Sequence, residues 1–181
     1  MNLKSQRFFY CPKCGSPLQL LLVNYRDRLV CDSCRYVFYE NPIVGVAVIV
    51  QNENGSVLLG RRAKESTYSG LWCIPCGYVE YDEEVRAAAR REFFEETGLE
   101  VELGEVLAVL SNFHNPETHT VGIWFGAEIT GGTIQAGDDL DVVEWFSIDK
   151  PPSLAFPTDC AVLEMLSRRI SKSCRHWQSS V

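Results

Sequence analysis

The stretch DEEVRAAARREFFEETGL, Asp82–Leu99, constrains the fold most, because it reads as one helix with both ends marked. Asp82 is placed to cap its N-terminus, with Glu83 and Glu84 in a first turn where the helix dipole favours acids. Gly98 suits the left-handed residue that ends a helix, with Leu99 reaching back to Phe94 in a Schellman-type apolar contact. The far end is built against the same dipole. Glu92, Glu95 and Glu96 crowd the last turn, where an acid is disfavoured by up to about 1 kcal/mol. At about 100° per residue they share an arc with Val85, Ala88 and Ala89, the face expected to pack on a sheet. Acids spaced i,i+3 and i,i+4 on that face repel one another, and a divalent cation among them removes the conflict. Hard oxygen donors in this number suit Mg²⁺ or Mn²⁺, and Mg²⁺ commonly sits between carboxylates and substrate phosphates. Arg91 adjoins the cluster and is placed to orient one of the glutamates.

A second pattern governs the first forty residues. Cys11, Cys14, Cys31 and Cys34 read C-x2-C-x16-C-x2-C, within the spacing of a four-thiolate zinc site. Gly15 permits a tight knuckle. Short strands at Leu18–Val23, Arg28–Val30 and Val37–Tyr39 would join the knuckles into a zinc ribbon. Four thiolates leave no open position, so the Zn²⁺ is structural and supplies stability that so small a segment lacks. The remaining cysteines are Cys73, Cys76, Cys160 and Cys174, and this usage favours a reducing compartment over a disulfide scaffold.

Asn41–Pro42 marks a junction, giving a ribbon over residues 1–41, a main domain over 42–170 and a polar, loose tail over 171–181. IVGVAVIV (43–50) reads as a buried strand, NENG (52–55) as a turn and VLLGRR (57–62) as the antiparallel partner. Trp72 and Ile74 fall on another strand, broken by Pro75 and Gly77. Further strands are expected near 101–110, 119–129 and 142–148, with Gly131–Gly132 and 136–141 as loops. A second helix follows Pro157, capped by Thr158 or Asp159, with Val162, Leu163, Leu166 and Ile170 as its apolar stripe. The order describes an α/β (α+β) fold, a mixed sheet with helices packed against it.

Charge separates the two regions. Residues 1–42 carry six basic and three acidic side chains, whereas the remainder carries 11 and 21, a net of −10. An acidic body collects divalent cations and disfavours nonspecific nucleic-acid binding. The N-terminus lacks the apolar region of a secretory signal, and no apolar run nears the roughly 20 residues that span a bilayer. A cytoplasmic protein with no membrane partner is expected.

With these residues in place, the chain resembles the Nudix hydrolases. Gly77, five residues, Glu83, seven residues, then Arg91-Glu92-Phe93-x-Glu95-Glu96-x-Gly98-Leu99 fits the Nudix box at each of its nine defined positions. The likeness covers roughly 42–170, including Leu154–Phe156, and members of that family headed by zinc ribbons exist. It implies a mixed sheet sandwiched by helices and Mg²⁺-dependent hydrolysis of a nucleoside diphosphate linked to another moiety. By position, Glu92, Glu95 and Glu96 would ligate the metal, joined by the backbone carbonyl of Cys76. Glu92 would also activate the water, and Glu83 with Arg91 would form an ion pair that steadies the loop–helix–loop. A further acid before the late Trp145 is common in the family. Asp138, Asp139 and Asp141 qualify, and Asp139 is preferred.

Other positions are less marked. Cys76 replaces a glycine common in the family and makes a third C-x-x-C with Cys73, read as packing in preference to a redox pair or metal clip. Arg62 is a candidate phosphate ligand or an ordinary surface residue. His114 and Phe113 fall where a base or ribose would be read, although a lone ring is more often structural. LAVLSNFHNPETHT lacks the SQPWPFP-like stretch of NADH-type members, whereas Pro116 lies where ADP-ribose-type members tend to carry a proline. The resemblance therefore favours ADP-ribose or a similar adenine dinucleotide such as FAD, with NADH/NAD or capped RNA as the alternative. A zinc-ribbon module that binds nucleic acid or protein beside a noncatalytic Nudix domain is the reading from another class, and the complete glutamate set opposes it. Many relatives form homodimers, which extends the partner expectation to a second copy.

Overall fold

A computed structural model describes residues 7–115 and 117–178, the side chains of 169–178 excepted. Pro116 and the side chains of Ile170 and Cys174 therefore lie outside the described residues. The chain divides into two compact units, Met1–Asn41 and Pro42–Val181.

The first unit is an antiparallel sheet of β1 (Leu18–Val23), β2 (Arg26–Cys31) and β3 (Val37–Phe38), in that order. β2 starts earlier than its sequence suggests because Asn24 and Tyr25 both take positive φ and close a two-residue hairpin. The two knuckles match: Gly15 N–H donates to Cys11 O and Arg35 N–H to Cys31 O. Gly15 and Arg35 occupy the same left-handed region, at φ 72° and 60°. Only Cys11, Leu18 and Cys31 are buried in this unit's apolar cluster.

The second unit contains β4 (Ile43–Val50), β5 (Ser56–Arg62), β6 (Trp72–Cys73), β7 (Cys76–Tyr78), α1 (Val85–Thr97), β8 (Leu99–Asn112), β9 (Thr120–Gly132), β10 (Leu140–Ser147) and α2 (Pro157–Gln178). One sheet runs β7-β4-β9-β8 and the other β10-β5-β6. β4 and β9 are parallel, Ile43 opposite Thr120 through Val50 opposite Ala127, and the other pairs are antiparallel. Alternate residues of β4 serve opposite cores. Val46, Val48 and Val50 join Ala88, Ala89 and Phe93 of α1, whereas Ala47 and Ile49 join Val162, Leu163 and Leu166 of α2. The result is the expected mixed-sheet α/β architecture with a helix on each side.

Several boundaries depart from the sequence reading. β4 and β5 do not form a ladder; past the bridge Gln51–Val57 they enter different sheets. Both edges of β4 are taken, by β7 and β9, so β5 has no edge to join. Pro75 does break a strand, and its carbonyl accepts from Val48 N–H as the chain crosses between sheets. Gly77, by contrast, lies inside β7 opposite Val46. Gly131 and Gly132 pair with Glu100 and Leu99 as the end of β9, where a loop was expected. Helix α2 begins at Pro157, so Thr158 and Asp159 stand in its first turn, and its backbone continues through 171–178. No described helix is long and apolar enough to cross a membrane.

Helix α1 begins later than Asp82. Glu84 is its cap, accepting from Arg86 N–H and Ala87 N–H at 2.9 Å each. Glu83 is unavailable to the first turn because Arg91 holds it. At the other end Gly98 takes φ 70° and donates to Phe94 O. Leu99 N–H goes instead to Thr97 Oγ1, so the stop is the single-bond αL form and the Schellman arrangement is absent.

Candidate active site

In the ribbon, Cys11 Sγ lies 3.7 Å from Cys34 Sγ, and Cys14 Sγ lies 3.5 Å from Cys31 Sγ. All four sulfurs fall within 4.8 Å of one another. A tetrahedron with Zn–S bonds of about 2.3 Å spaces its sulfurs by roughly 3.8 Å, so these thiols fit Zn²⁺. The Ser16 backbone N–H leads in lowering the Cys14 thiol, to about 6, which favours the thiolate form that metals bind.

The acidic site starts from the C-terminus of α1, whose last carbonyls need partners outside the helix. The following chain supplies them: Gln135 N–H donates to Thr97 O and Gly137 N–H to Glu96 O. This pinning brings Asp138 and Asp139 beside the helix end. Arg91 organises the near side. Its Nε and Nη2 reach the two oxygens of Glu83 at 2.8 and 2.7 Å, and its Nη1 lies 2.9 Å from Glu92 and 3.0 Å from Glu95. Arg91 holds Glu83 below the usual carboxylate range. Glu92 moves the other way, because burial outweighs its pairing with Arg91 and raises its pKa.

Glu96 faces inward. It is 1% exposed, and its Oε2 accepts from Cys76 N–H at 2.7 Å. Burial, with Cys76 and Asp139 nearby, pushes its pKa well above the usual value. Asp139 Oδ2 lies 2.8 Å from Arg62 Nη1, while its buried Oδ1 has no hydrogen-bond partner. The three glutamates thus do not converge on one point: Arg91 engages Glu92 and Glu95, and Glu96 turns to β7. Among the described residues, the four thiols alone form a group with all ligand atoms so close together. The donor set nevertheless fits a hard divalent cation. A buried carboxylate with raised pKa, an orphaned carboxylate oxygen and a third carboxylate behind Gly77 each gain a counter-charge from it. The glycine is required there, since a Cβ on Gly77 would fall 2.0 Å from Glu92 Cδ.

A cavity of about 640 Å³ opens over this site. Glu92, Asp138 and Asp139 share its lining with Arg62, Cys76 and Gly77. Arg62 does not reach outward as a free phosphate ligand would. It is 8% exposed, donates from Nε and Nη2 to Thr67 O and Oγ1, and pairs with Asp139 through Nη1. Asp141 pairs with Arg61 away from the cavity, and Phe113 packs edge-on against His119. Cys73 is fully buried, and its neighbourhood with burial raises the Cys76 thiol far above its ordinary value, which keeps it protonated and unreactive.

Sequence reasoning missed several residues that line the cavity. Tyr68 and Trp124 carried no periodic signal, and Phe156 entered only as part of the Leu154–Phe156 likeness. Asp159, weighed only as a cap, is 1% exposed and accepts from Ile74 N–H at 3.0 Å and Trp124 Nε1–H at 3.3 Å. Burial raises its pKa to about 7. The available signal was an acid followed by the apolar stripe of a helix, which also describes a cap.

A mixed sheet flanked by two helices, with the acidic end of one helix under a large cavity, defines a Nudix-type fold. The chain belongs to the NUDIX domain family, whose model matches residues 41–163, and the Nudix N-terminal zinc-ribbon model matches residues 10–40. An ADP-ribose pyrophosphatase of Methanocaldococcus jannaschii is 36% identical over 126 residues, 69% of this chain and 73% of that protein. The NAD-capped RNA hydrolase NudC of Chromobacterium violaceum is 30% identical over 155 residues, 84% of this chain and 55% of that protein. The chain thus spans little more than half the length of that relative. A crystal structure of a NUDIX hydrolase from Nitrosomonas europaea superposes with a TM-score of 0.77 at 30% identity, covering 90% of this chain and 93% of that one.

Proposed function

We propose that the chain is a Mg²⁺-dependent pyrophosphohydrolase of the cytoplasm, with residues 42–170 as its catalytic domain and ADP-ribose or a similar adenine dinucleotide such as FAD as its substrate. The observation that carries this reading is the set of carboxylates Glu92, Asp138 and Asp139 lining one cavity of about 640 Å³, a size that suits a nucleotide, with Glu96 buried behind its wall on Cys76 N–H. Similarity to an ADP-ribose pyrophosphatase supports the substrate class.

Glu92, Glu95, Glu96 and the Cys76 carbonyl would hold Mg²⁺ or Mn²⁺, with Asp139 adjoining. Bound there, the ion offsets the charge that gathers on the phosphate oxygens. The residues of the chain do the rest. Glu92, with its pKa raised by burial, accepts the proton of the attacking water. The water oxygen bonds to one phosphorus, the bridging P–O bond breaks, and two monophosphates leave. Arg91 fixes Glu83 and Glu92, so the loop before α1 and the base move as one piece. Arg62 orients Asp139 and serves the site through it.

A second reading, hydrolysis of NAD-capped RNA, is favoured by the NudC likeness, which spans most of this chain. Pyrophosphate cleavage of ADP-ribose, NADH, FAD and NAD-capped RNA with Mg²⁺, measured beside Glu96→Gln, tests the proposal. Cleavage that ranks ADP-ribose or FAD first and disappears in the variant supports it. Cleavage of NADH or capped RNA alone selects the second reading, and no cleavage of any of them rejects both.

A further inference from the structure

Three rings of the cavity wall have no part in the hydrolytic machinery. Tyr68, His114 and Phe156 come from three separate segments, the loop after β5, the turn after β8 and the run before α2. They meet pairwise, with centroids 5.6 Å apart for Tyr68–Phe156 and 5.7 Å for each ring with His114. None is buried as a core ring would be; Tyr68 is 41% exposed. All three line the cavity that holds Glu92 and Asp139.

The trio is built, and it abuts the acidic site. Tyr68 sits at φ 60°, a conformation that an aromatic residue seldom adopts. Its loop is held there by Leu71 N–H on Tyr68 O and by the two Arg62 bonds to Thr67. Arg62 links both ends of the cavity, with its guanidinium 5.7 Å from the Phe156 centroid and its Nη1 on Asp139. His114 is oriented too. Asn112 Oδ1 accepts from the His114 backbone N–H and meets His114 Nδ1, which orients the ring.

An open set of aromatic faces next to carboxylates has little to offer a phosphate. It suits a flat, uncharged heterocycle. The geometry points to Tyr68, His114 and Phe156 as the subsite for the nucleobase of the substrate, stacked on the rings. The pyrophosphate then lies toward Glu92 and Asp139. This deepens the pyrophosphatase reading and rests on it for the ligand class.

Calorimetric titration with AMP and with ribose 5-phosphate tests the subsite without requiring turnover. Losing one stacking ring corresponds to roughly 5- to 150-fold weaker binding of a base. Tyr68→Ala and Phe156→Ala should each weaken AMP by an amount in that range and leave ribose 5-phosphate unchanged, while Tyr68→Phe stays near wild type. Equal binding of AMP by wild type and Tyr68→Ala overturns the subsite, as does an equal loss for both ligands or no AMP binding by wild type. Tyr68 is exposed, so its variant keeps the test alive should Phe156→Ala not fold. ADP-ribose cleavage with an unchanged KM in Tyr68→Ala sinks the subsite and leaves the hydrolase standing. Ring-dependent AMP binding without cleavage does the reverse.

Discussion

Gly77 is a glycine for want of space. Its backbone pairs normally with Val46, but the Glu92 carboxylate occupies the place of a side chain. Gly77→Ala therefore keeps the fold, because the flexible Glu92 side chain can yield, and it displaces the proposed base. A misplacement of about 1 Å can cost on the order of 100-fold. Gly77→Ala should lower kcat by about that factor with an unchanged unfolding midpoint. Glu96 offers a second residue-scale test. Its folded pKa lies above the usual 4.5, so its contribution to stability is present below about that pH and is lost as pH rises through the higher folded value. In chelator, at a pH above the raised folded value, Glu96→Gln removes a buried charge while keeping an acceptor for Cys76 N–H. Its thermal midpoint should rise above wild type there as AMP release disappears. An equal or lower midpoint would show that the ionised carboxylate is stabilised in a way the structure does not reveal. At this scale the sequence was most legible, because acids at the wrong end of a helix conflict with local physics. Arg62 was less so, since an arginine after a strand looks alike whether it faces outward or pairs with a buried aspartate.

At the scale of elements, the helix and its stop were readable and the sheet partners were not. α1 is specified by its own residues, whereas the partner of β4 depends on which distant strand takes each edge. NENG looks like a hairpin turn, and Asn52 Oδ1 does bind the N–H groups of Asn54 and Ser56. The turn is local, but the choice of sheet is not. Asp159 belongs to the same lesson, for its partners lie 85 and 35 residues away. It ties α2 to β9 and to the link between β6 and β7, just ahead of Cys76. Its pKa moves from 3.8 to about 7 on folding. A raised acid contributes stability below its unfolded value and loses it as pH climbs to the folded value. Between about pH 4 and 7 the change is on the order of 4 kcal/mol at 1.36 kcal/mol per pKa unit. Asp159→Asn retains an acceptor oxygen and does not titrate. Its unfolding free energy should vary less with pH over that window than the wild type's. Parallel pH profiles for the two proteins would assign the slope to other groups.

At the scale of the molecule, the chain joins two units stabilised by different means. Residues 42–178 bury two apolar clusters that draw on β4, β5 and both helices. Residues 7–41 bury four side chains, two of them cysteines, and leave Leu20, Leu22 and Tyr25 exposed. Such a core falls far short of the conformational entropy lost on ordering the ribbon, so the thiolate-bound zinc must supply the difference. This division was legible from cysteine spacing because metal geometry fixes sulfur positions irrespective of the residues between them. Its consequence is a two-step response to metal removal. A thiol-displacing mercurial should release one zinc per chain and unfold residues 7–41, seen as loss of amide-exchange protection in β1 and β2. Among the described residues, the apolar clusters of the second unit contain none from 7–41, so protection in β4, β9 and α1 should persist. Restoring zinc after thiol rescue should restore the ribbon. Concerted loss of protection in β1 and β4 would mean instead that the second unit cannot hold its fold once the ribbon is lost.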